Sequence, residues 1–263
     1  MSAAFGAALF ALGLVGAFVA GLLGVGGAIV MIPLLLYVPP LLGVGALDVK
    51  AVAGITMVQV LVAALSGVIA HRRVRAVSAE LAWVGGLSMA AGSLTGALAS
   101  KVVPERLLLA LFGVMTLAAL ALLFVPREET GQPTFADTVT FSRRRAAAVS
   151  LAVGLAAGLV GAGGAFLLVP LLLVVVGIPI RVTIGSSLAI TAVSALTGVL
   201  GKLVTGQILW GPALVVAAGA APGAQLGALV SRRLSGVRLK QVLFVVVLAS
   251  TIRVWWDLLT RAK

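Results

Sequence analysis

Long apolar runs separated by short polar or charged loops cover most of the chain. Six of the runs have the length of one membrane-spanning helix, about 20 residues, and two are longer. Transmembrane barrel strands would instead show apolar and polar positions alternating over about ten residues. The pattern therefore predicts an all-α polytopic membrane protein. The eight runs are Ala3–Val38, Val49–Ala70, Ala79–Ser100, Leu107–Val125, Ala146–Val176, Val182–Val204, Leu209–Val230 and Val242–Leu259.

The first and fifth runs are too long for one span, and glycines interrupt both of them. The interruptions are Gly24-Val25-Gly26-Gly27 and Gly161-Ala162-Gly163-Gly164. A glycine inside a helix costs roughly 1 kcal/mol relative to alanine, so three within four residues predict a break. Each long run is therefore predicted to be a hairpin of one helix, a glycine turn and a shorter helix. Each half of the chain then contains five helical pieces.

The two halves carry the same short motifs in the same order, which indicates an internal repeat. The segment Gly21–Ala28 aligns with Gly158–Ala165, and Pro33 and Pro170 each follow the last glycine of a break by six residues. The repeats are predicted to be residues 1–125 and 143–263, joined by a polar linker loop at 126–142. Further matched pairs are Gly54–Thr56 with Gly185–Ser187, Ala64–Val68 with Ala195–Val199, Gly92 with Gly223, and Gly96–Leu98 with Gly227–Leu229.

Loop charges predict that the two repeats are inverted relative to each other across the membrane. The loop after the second run of the first repeat is strongly basic, and the equivalent loop of the second repeat carries only Lys202. The next loop is weakly charged in the first repeat and strongly basic in the second. Because positive residues favour the cytoplasmic side, equivalent loops lie on opposite sides, as in inverted repeats. The linker is then cytoplasmic and both termini are outside. The residues concerned are Arg72, Arg73 and Arg75; Lys101 and Arg106 beside Glu105; Arg232, Arg233, Arg238 and Lys240; and, between the repeats, Arg127 in the linker and Arg143–Arg145 directly after it.

Composition narrows the function. Hydrophobic residues make up 62% of the chain and charged residues only 10%, against roughly 25% charged in soluble domains. The net charge of +12 lies mainly in loops, so it favours membrane orientation over a nucleic-acid partner. Cysteine is absent, and histidine occurs once. We therefore predict no enzyme activity, no cofactor and no metal site, and the oligomeric state is left open.

The two glycine breaks are the predicted substrate site. Backbone groups freed by a broken helix are tolerated in a membrane only where they are buried in protein or line a cavity. A short helix that starts after the break can hold an anion at its N-terminus. The alternative is close helix packing, which is expected at Gly92, Gly96, Gly223 and Gly227. The predicted binding glycines are Gly24, Gly26, Gly27, Gly161, Gly163 and Gly164, with Pro33 and Pro170 as structural hinges.

Polar side chains that follow the breaks complete the predicted site. A glutamine inside an apolar span is costly unless it forms a hydrogen bond, and the alternative for each such group is a bond between helices. The candidates are Thr56, Gln59, Ser186, Ser187 and Gln225, and Thr183 and Thr191 lie in the same stretch. The few charged residues near the spans are expected to reach the membrane interface, and the absence of a buried carboxylate cluster favours a neutral or anionic solute. Those charged residues are Glu80, Lys101, Lys202, Arg253 and Asp257.

These motifs resemble the TauE/SafE family of sulfite and organosulfur anion transporters. The resemblance rests on Gly-x-Gly-Gly running into an apolar stretch and Pro-Leu in each half, on Thr183–Ala189 and on Pro222–Ala228. It implies secondary transport, in the bacterial inner membrane, of a small anion such as sulfite, thiosulfate or sulfoacetate. Ala28 and Ala165 stand where members often have a third glycine.

Three readings of function remain beside the resemblance. The leading one is an alternating-access carrier for a small anion in the lipid bilayer, with a proton or sodium as a coupling ion that no residue identifies. The alternatives are a passive anion channel and a non-transporting membrane subunit. A carrier for metal cations is disfavoured because acidic residues are missing from the spans.

Overall fold

The structure, a computed structural model, describes residues 2–72, 77–125 and 139–260 and forms helices throughout. The predicted all-α polytopic fold is confirmed, because seven of these helices are long and apolar enough to cross a membrane. The basic loop at Arg73 and Arg75, the linker at 126–138 and the last three residues lie outside the described residues. The helices are α1 (Ala3–Leu23), α2 (Ala28–Leu41), α3 (Val49–Arg72), α4 (Ala79–Ala99), α5 (Glu105–Leu123), α6 (Arg143–Val160), α7 (Ala165–Leu171), α8 (Ile180–Val204), α9 (Trp210–Ser231) and α10 (Gly236–Thr260).

Short polar side chains start several of the helices. Ser2, Ser78 and Ser142 each stand at an N-cap and accept a hydrogen bond from the backbone N–H three residues later. Asp48 does the same for α3, where its Oδ1 accepts from the Ala51 N–H at 2.6 Å. These caps satisfy backbone donors that the first turn leaves unpaired, which fixes where each span begins.

Both glycine segments end one helix and start another, as the sequence predicts. α1 ends where the Gly24 N–H donates to the Ala20 carbonyl at 2.9 Å, and α6 ends where the Gly161 N–H donates to Ala157 at 2.8 Å. Gly24 and Gly161 have φ of +71° and +78°, in the left-handed region that glycine adopts without a steric penalty. The two breaks therefore have the same backbone conformation.

The helix after the second break changes register near its end. α7 is followed by a π-helical turn from Leu172 to Val176, which begins two residues after Pro170. Proline has no N–H and its ring excludes the carbonyl one turn earlier, so the hydrogen-bond ladder widens beyond it. Pro33 lies inside α2, which remains α-helical. The matched prolines of the two repeats therefore have different local structures, a difference that the sequence does not reveal.

Contacts between helix ends define two opposite ends of the bundle. The Ser78 N–H, at the start of α4, donates to Ser186 near the start of α8, and Ser100 and Lys202 meet where the same helices end. α4 and α8 therefore run in the same direction. A Cβ added at Gly45 would lie 3.3 Å from the Phe5 ring, so α1 starts beside the loop that leads into α3.

We call the end that holds the starts of α1, α3, α5 and α9 the terminal end, and the opposite end the linker end. α6, α8 and α10 start at the linker end. Arg143 at the start of α6 pairs with Glu80 at the start of α4, and Arg181 at the start of α8 donates to the Leu234 carbonyl beyond α9. Each hairpin consequently returns to the end from which it started, α1–α2 at the terminal end and α6–α7 at the linker end.

Glycines hold two pairs of helices in backbone contact. α1 packs on α9, and α4 packs on α6. A Cβ at Gly92 would collide with the Leu151 carbonyl, and one at Gly223 would collide with that of Leu14. Gly96 and Gly227 make the equivalent contacts, so the packing role that the sequence predicts for these four glycines is confirmed. Each hairpin is thereby packed on a helix of the other half.

The outer surface of the bundle is apolar. Large hydrophobic side chains on α4, α9 and α10 are more than half exposed, among them Trp83, Leu214 and Ile252. A surface of this kind is stable against lipid and costly against water. The residues of both breaks, Gly24–Gly27 and Gly161–Gly164, are buried, so the breaks lie in the interior of the bundle.

Candidate functional site

The two glycine breaks meet in the middle of the bundle. A Cβ placed at Gly26 would lie 3.4 Å from both the Ala165 Cβ and a Val60 methyl group, and 3.5 Å from the Thr191 methyl group. A Cβ at Gly163 would collide with the same Val60 side chain. Val60 and Thr191 lie halfway along α3 and α8, so both breaks converge between these two helices.

A hydroxyl group from each half braces the break of the other half. Thr56 Oγ1 on α3 donates to the Gly161 carbonyl at 2.9 Å, and Ser187 Oγ on α8 donates to the Gly24 carbonyl at 2.8 Å. Both side chains are fully buried. The two residues occupy matched positions in the sequence repeat, and so do the glycines they reach. Their hydroxyl hydrogens are therefore directed at the protein backbone and not at a bound solute.

The breaks leave buried backbone donors without acceptors. In the described part of the chain, the N–H groups of Gly26, Gly27, Gly163 and Gly164 donate to no protein acceptor. All four residues are buried and have φ between +61° and +79°. Buried N–H groups are nearly always paired, and successive N–H groups in such conformations form concave sites for anions. The free donors of both breaks lie at the centre of the bundle.

Two polar side chains next to the breaks are also buried and unpaired. Both amide atoms of Gln59 lack a hydrogen-bond partner in the described structure, and so does the Thr191 hydroxyl. Gln59 is fully buried, and its Nε2 would lie 3.0 Å from a Cβ added at Gly27. Leaving such groups unpaired costs about 1–3 kcal/mol each, and this cost would be recovered if a ligand occupied the site.

Other residues that the sequence predicted for the site lie away from it. Ser186 is buried, but its Oγ accepts from the Ser78 N–H at 3.0 Å and so connects α8 to the start of α4. Gln225 lies on the exposed face of α9 and contributes nothing to the cluster around the breaks. Pro33 and Pro170 are buried within the helices that follow the breaks.

The expected position of Lys202 at the membrane interface is wrong. The side chain is fully buried, and its Nζ donates to Ser100 Oγ at 2.6 Å and to Gln207 Oε1 at 3.0 Å. The expectation rested on its place near the end of a span, where long basic side chains usually extend to the interface. Helix packing instead covers this turn, which the spacing of residues along α8 did not reveal.

The family model for the sulfite exporter TauE/SafE matches residues 9–254 of the chain. The chain belongs to the TauE/SafE family. Membership accords with the Gly-x-Gly-Gly and Pro-Leu motifs of both halves and makes the chain a membrane transporter with many passes through the cell membrane. The resemblance that the sequence motifs indicated is thereby confirmed.

Two curated relatives extend over nearly the whole TauE/SafE chain. A probable membrane transporter protein of Xylella fastidiosa (strain Temecula1 / ATCC 700964) is 32% identical over 246 residues, which are 93% of this chain and 92% of the relative. The probable membrane transporter protein YunE of Bacillus subtilis (strain 168) is 26% identical over 255 residues, 91% and 93% of the two chains. No solved structure matches the chain.

Proposed function

We propose that this TauE/SafE protein is a secondary carrier for a small anion of the sulfur oxyanion or organosulfonate class, which it binds between the two glycine breaks. One observation carries the proposal. The Gln59 amide is fully buried and unpaired beside the Gly27 turn, whose own N–H also lacks an acceptor. A ligand that accepts hydrogen bonds would satisfy the Gln59 Nε2 and the Gly27 N–H.

The charge of the ligand follows from the donors around it. N–H groups from both breaks and the first turn of α2 present partial positive charge to the same place. No carboxylate in the described structure lies in this region, because the acidic residues of the spans, Glu80, Glu105 and Asp257, stand near helix ends. An anion gains from this arrangement, whereas a cation would find no carboxylate there among the described residues. The sulfur class is taken from the family.

We propose that access to the site alternates between the two ends of the bundle. We propose that residues 1–125 and 143–263 are inverted repeats, with the linker 126–142 between them. The opposite starting ends of the two hairpins and the matched contacts Thr56–Gly161 and Ser187–Gly24 support this proposal. Full burial of the breaks supports a carrier over an open channel, because neither end of the bundle reaches the site directly.

The direction of the chain in the membrane follows from its charges. Basic residues far outnumber acidic ones at the described part of the linker end, whereas the terminal end carries both signs. We therefore propose that the linker end is cytoplasmic and that both termini are outside. The linker-end residues are Arg143, Arg144, Arg145, Arg181, Arg232, Arg233, Arg238 and Lys240, with Glu80.

Single cysteines test this orientation, because the chain has no cysteine of its own. Lys101 and Arg232 are exposed at opposite ends of the bundle. A membrane-impermeant maleimide applied to intact cells is expected to label Lys101→Cys, and to label Arg232→Cys only after the cells are permeabilised. The reverse labelling pattern would show that the linker end faces the outside. It would reject the proposed orientation without affecting the proposed anion site.

Ligand-induced thermal stabilisation tests the proposed function directly. The purified protein would be melted with sulfite, thiosulfate, sulfate, sulfoacetate, taurine, chloride or acetate. A ligand of the folded state stabilises it by about 2.7 kcal/mol at a hundredfold excess over its dissociation constant. We expect the sulfur oxyanions or sulfonates to raise the melting temperature and acetate to leave it unchanged. Stabilisation by amines or metal ions alone would overturn the anion site.

Flux measurements in proteoliposomes separate a carrier from a channel. A carrier shows saturable uptake that is accelerated when the same anion is loaded on the opposite side of the membrane. A passive channel shows ionic current and no such counterflow. We expect counterflow with the anion that gives the largest thermal stabilisation. Ionic current without counterflow would show that the protein is a channel and not a carrier.

A further inference from the structure

Lys202 is a buried basic side chain that the proposed central site does not use. The side chain has no exposed surface, although Lys202 lies only two residues before the end of α8. Burying an ammonium group is expensive unless an opposite charge or several hydrogen bonds compensate for it. Lys202 forms no ion pair with a carboxylate of the described residues, and the acceptors of its hydrogen bonds are all neutral. The protein therefore supplies no counter-ion for Lys202 in its described parts.

The hydrogen-bond partners of this amino group are neutral and polar. Lys202 Nζ donates to Ser100 Oγ, to Gln207 Oε1 and, at 3.4 Å, to the Leu159 carbonyl. The Gln207 Nε2 donates to Ser100 Oγ at 3.1 Å and to Thr205 Oγ1 at 2.8 Å, which closes the cluster on one side. Gln207 is half-buried, so it separates Lys202 from solvent at the terminal end.

The cluster borders the second glycine break. Leu159, whose carbonyl accepts from Lys202, precedes Gly161 by two residues. On the other side, a Cβ at Gly54 would collide with the Gln207 carbonyl, and the adjacent residue Ala53 packs against Gly161. Lys202 therefore stands between the aqueous surface of the terminal end and the break that leads to the central site.

We propose that Lys202, Ser100 and Gln207 form a second anion site, through which the transported anion passes between the terminal end and the central site. This proposal rests on the proposed function, because it assumes that an anion is transported. The ligand is a small oxyanion that takes the place of Gln207 Oε1 on the Lys202 ammonium group. The Gln207 Nε2 then donates to its remaining oxygens, and the Ser100 hydroxyl, which donates to the Ala97 carbonyl at 2.6 Å, holds the Lys202 amino group in place. The anion supplies the missing counter-charge, and the site favours charged oxyanions over neutral solutes.

Sulfite binding and sulfite flux test the proposal, with Lys202→Gln as the principal variant. Glutamine keeps a hydrogen-bonding group in the cluster and removes the charge. Calorimetric titration is expected to find two sulfite sites in the wild-type protein and one in Lys202→Gln. In sided membrane vesicles, the variant is expected to raise the KM for sulfite presented at the terminal end at least tenfold. The KM at the linker end is expected to change less than twofold.

Two further variants make the outcome specific. Lys101→Gln removes an exposed lysine beside Ser100 and is expected to leave both KM values unchanged. Gln207→Leu alters the half-buried side of the cluster without removing the Lys202 charge, and it is expected to raise the terminal-end KM severalfold. It decides the question if Lys202→Gln fails to fold.

Each result decides between the two proposals. Equal stoichiometry and equal KM values in wild type, Lys202→Gln and Gln207→Leu would overturn the second site and leave the carrier proposal intact. The absence of binding and flux in the wild-type protein with sulfite, thiosulfate and sulfate would instead overturn the proposed function. An increase in KM of the same size at both ends would show that Lys202 acts on the central site, and this would also reject the second site.

Discussion

Replacing Gln59 with methionine is expected to raise the stability of the ligand-free protein and to abolish its stabilisation by anions. Both amide atoms of Gln59 are buried and unpaired in the described structure. An unpaired buried donor or acceptor costs about 1–3 kcal/mol, and methionine fills a similar volume without polar atoms. The same substitution removes a donor from the proposed anion site. Melting curves with and without sulfite or thiosulfate measure both effects.

Gln225→Met is the matched control for this experiment. It makes the same chemical change on the exposed face of α9, outside the cluster around the breaks. We expect the control to keep both the wild-type melting temperature and the wild-type response to anions. If anions raise the melting temperature of Gln59→Met as much as that of the wild type, Gln59 does not bind the anion. A lower stability of ligand-free Gln59→Met would show that the amide has a structural role instead.

Much of the fold could be predicted from the sequence because membranes restrict the available structures so strongly. A spanning segment must satisfy its own backbone, so an apolar run of suitable length is a helix. Three glycines within four residues interrupt such a run unambiguously, and the breaks at Gly24–Gly27 and Gly161–Gly164 lie where predicted. The π-helical turn after Pro170 was not predicted, since Pro33 at the matched position leaves its helix α-helical.

The site was predicted less completely, because residue type indicates that a polar group needs a partner but not which partner it finds. Thr56 and Ser187 do lie at the breaks, yet their hydroxyl groups donate to Gly161 and Gly24 of the protein itself. Gln59 has no such partner in the described structure, and Gln225 faces outward. The same side chain in the same kind of span therefore has opposite environments, which depend on the helix face that packing covers.

Burial of Lys202 has the same origin. In an isolated helix, a lysine two residues from the end extends to the interface at little cost. Here the end of α4 and the loop that follows α8 close over that turn and supply Ser100 and Gln207 as hydrogen-bond partners. Such an enclosure depends on contacts between the two halves of the chain, which sequence spacing within one helix does not contain.

Replacing Gly161 with alanine is expected to destabilise the protein strongly. Gly161 has a φ of +78°, and a side chain in that conformation costs about 1–2 kcal/mol. The added Cβ would also collide with the carbonyl of Ala53 and lie 2.6 Å from its Cα. Backbone atoms of a packed helix do not move aside locally, so overpacking adds about 1–3 kcal/mol. A fall in melting temperature on the order of 10 °C is expected, given about 2–4 °C per kcal/mol for chains of this size.

Gly206→Ala separates the two costs, because Gly206 has nearly the same conformation in open surroundings. Its φ is +70°, and nothing lies within 4 Å of an added Cβ. We expect this variant to bear only the cost of the left-handed backbone conformation. Its melting temperature is expected to fall by a few degrees, and its flux is expected to equal that of the wild type. Gly24→Ala should resemble Gly161→Ala, because its Cβ would lie 2.6 Å from the Ile184 carbonyl oxygen. Equal losses in Gly161→Ala and Gly206→Ala would mean that the breaks are held by backbone conformation alone. Larger losses at Gly161 and Gly24 would mean that each break is fixed by the helix of the opposite half that packs against it.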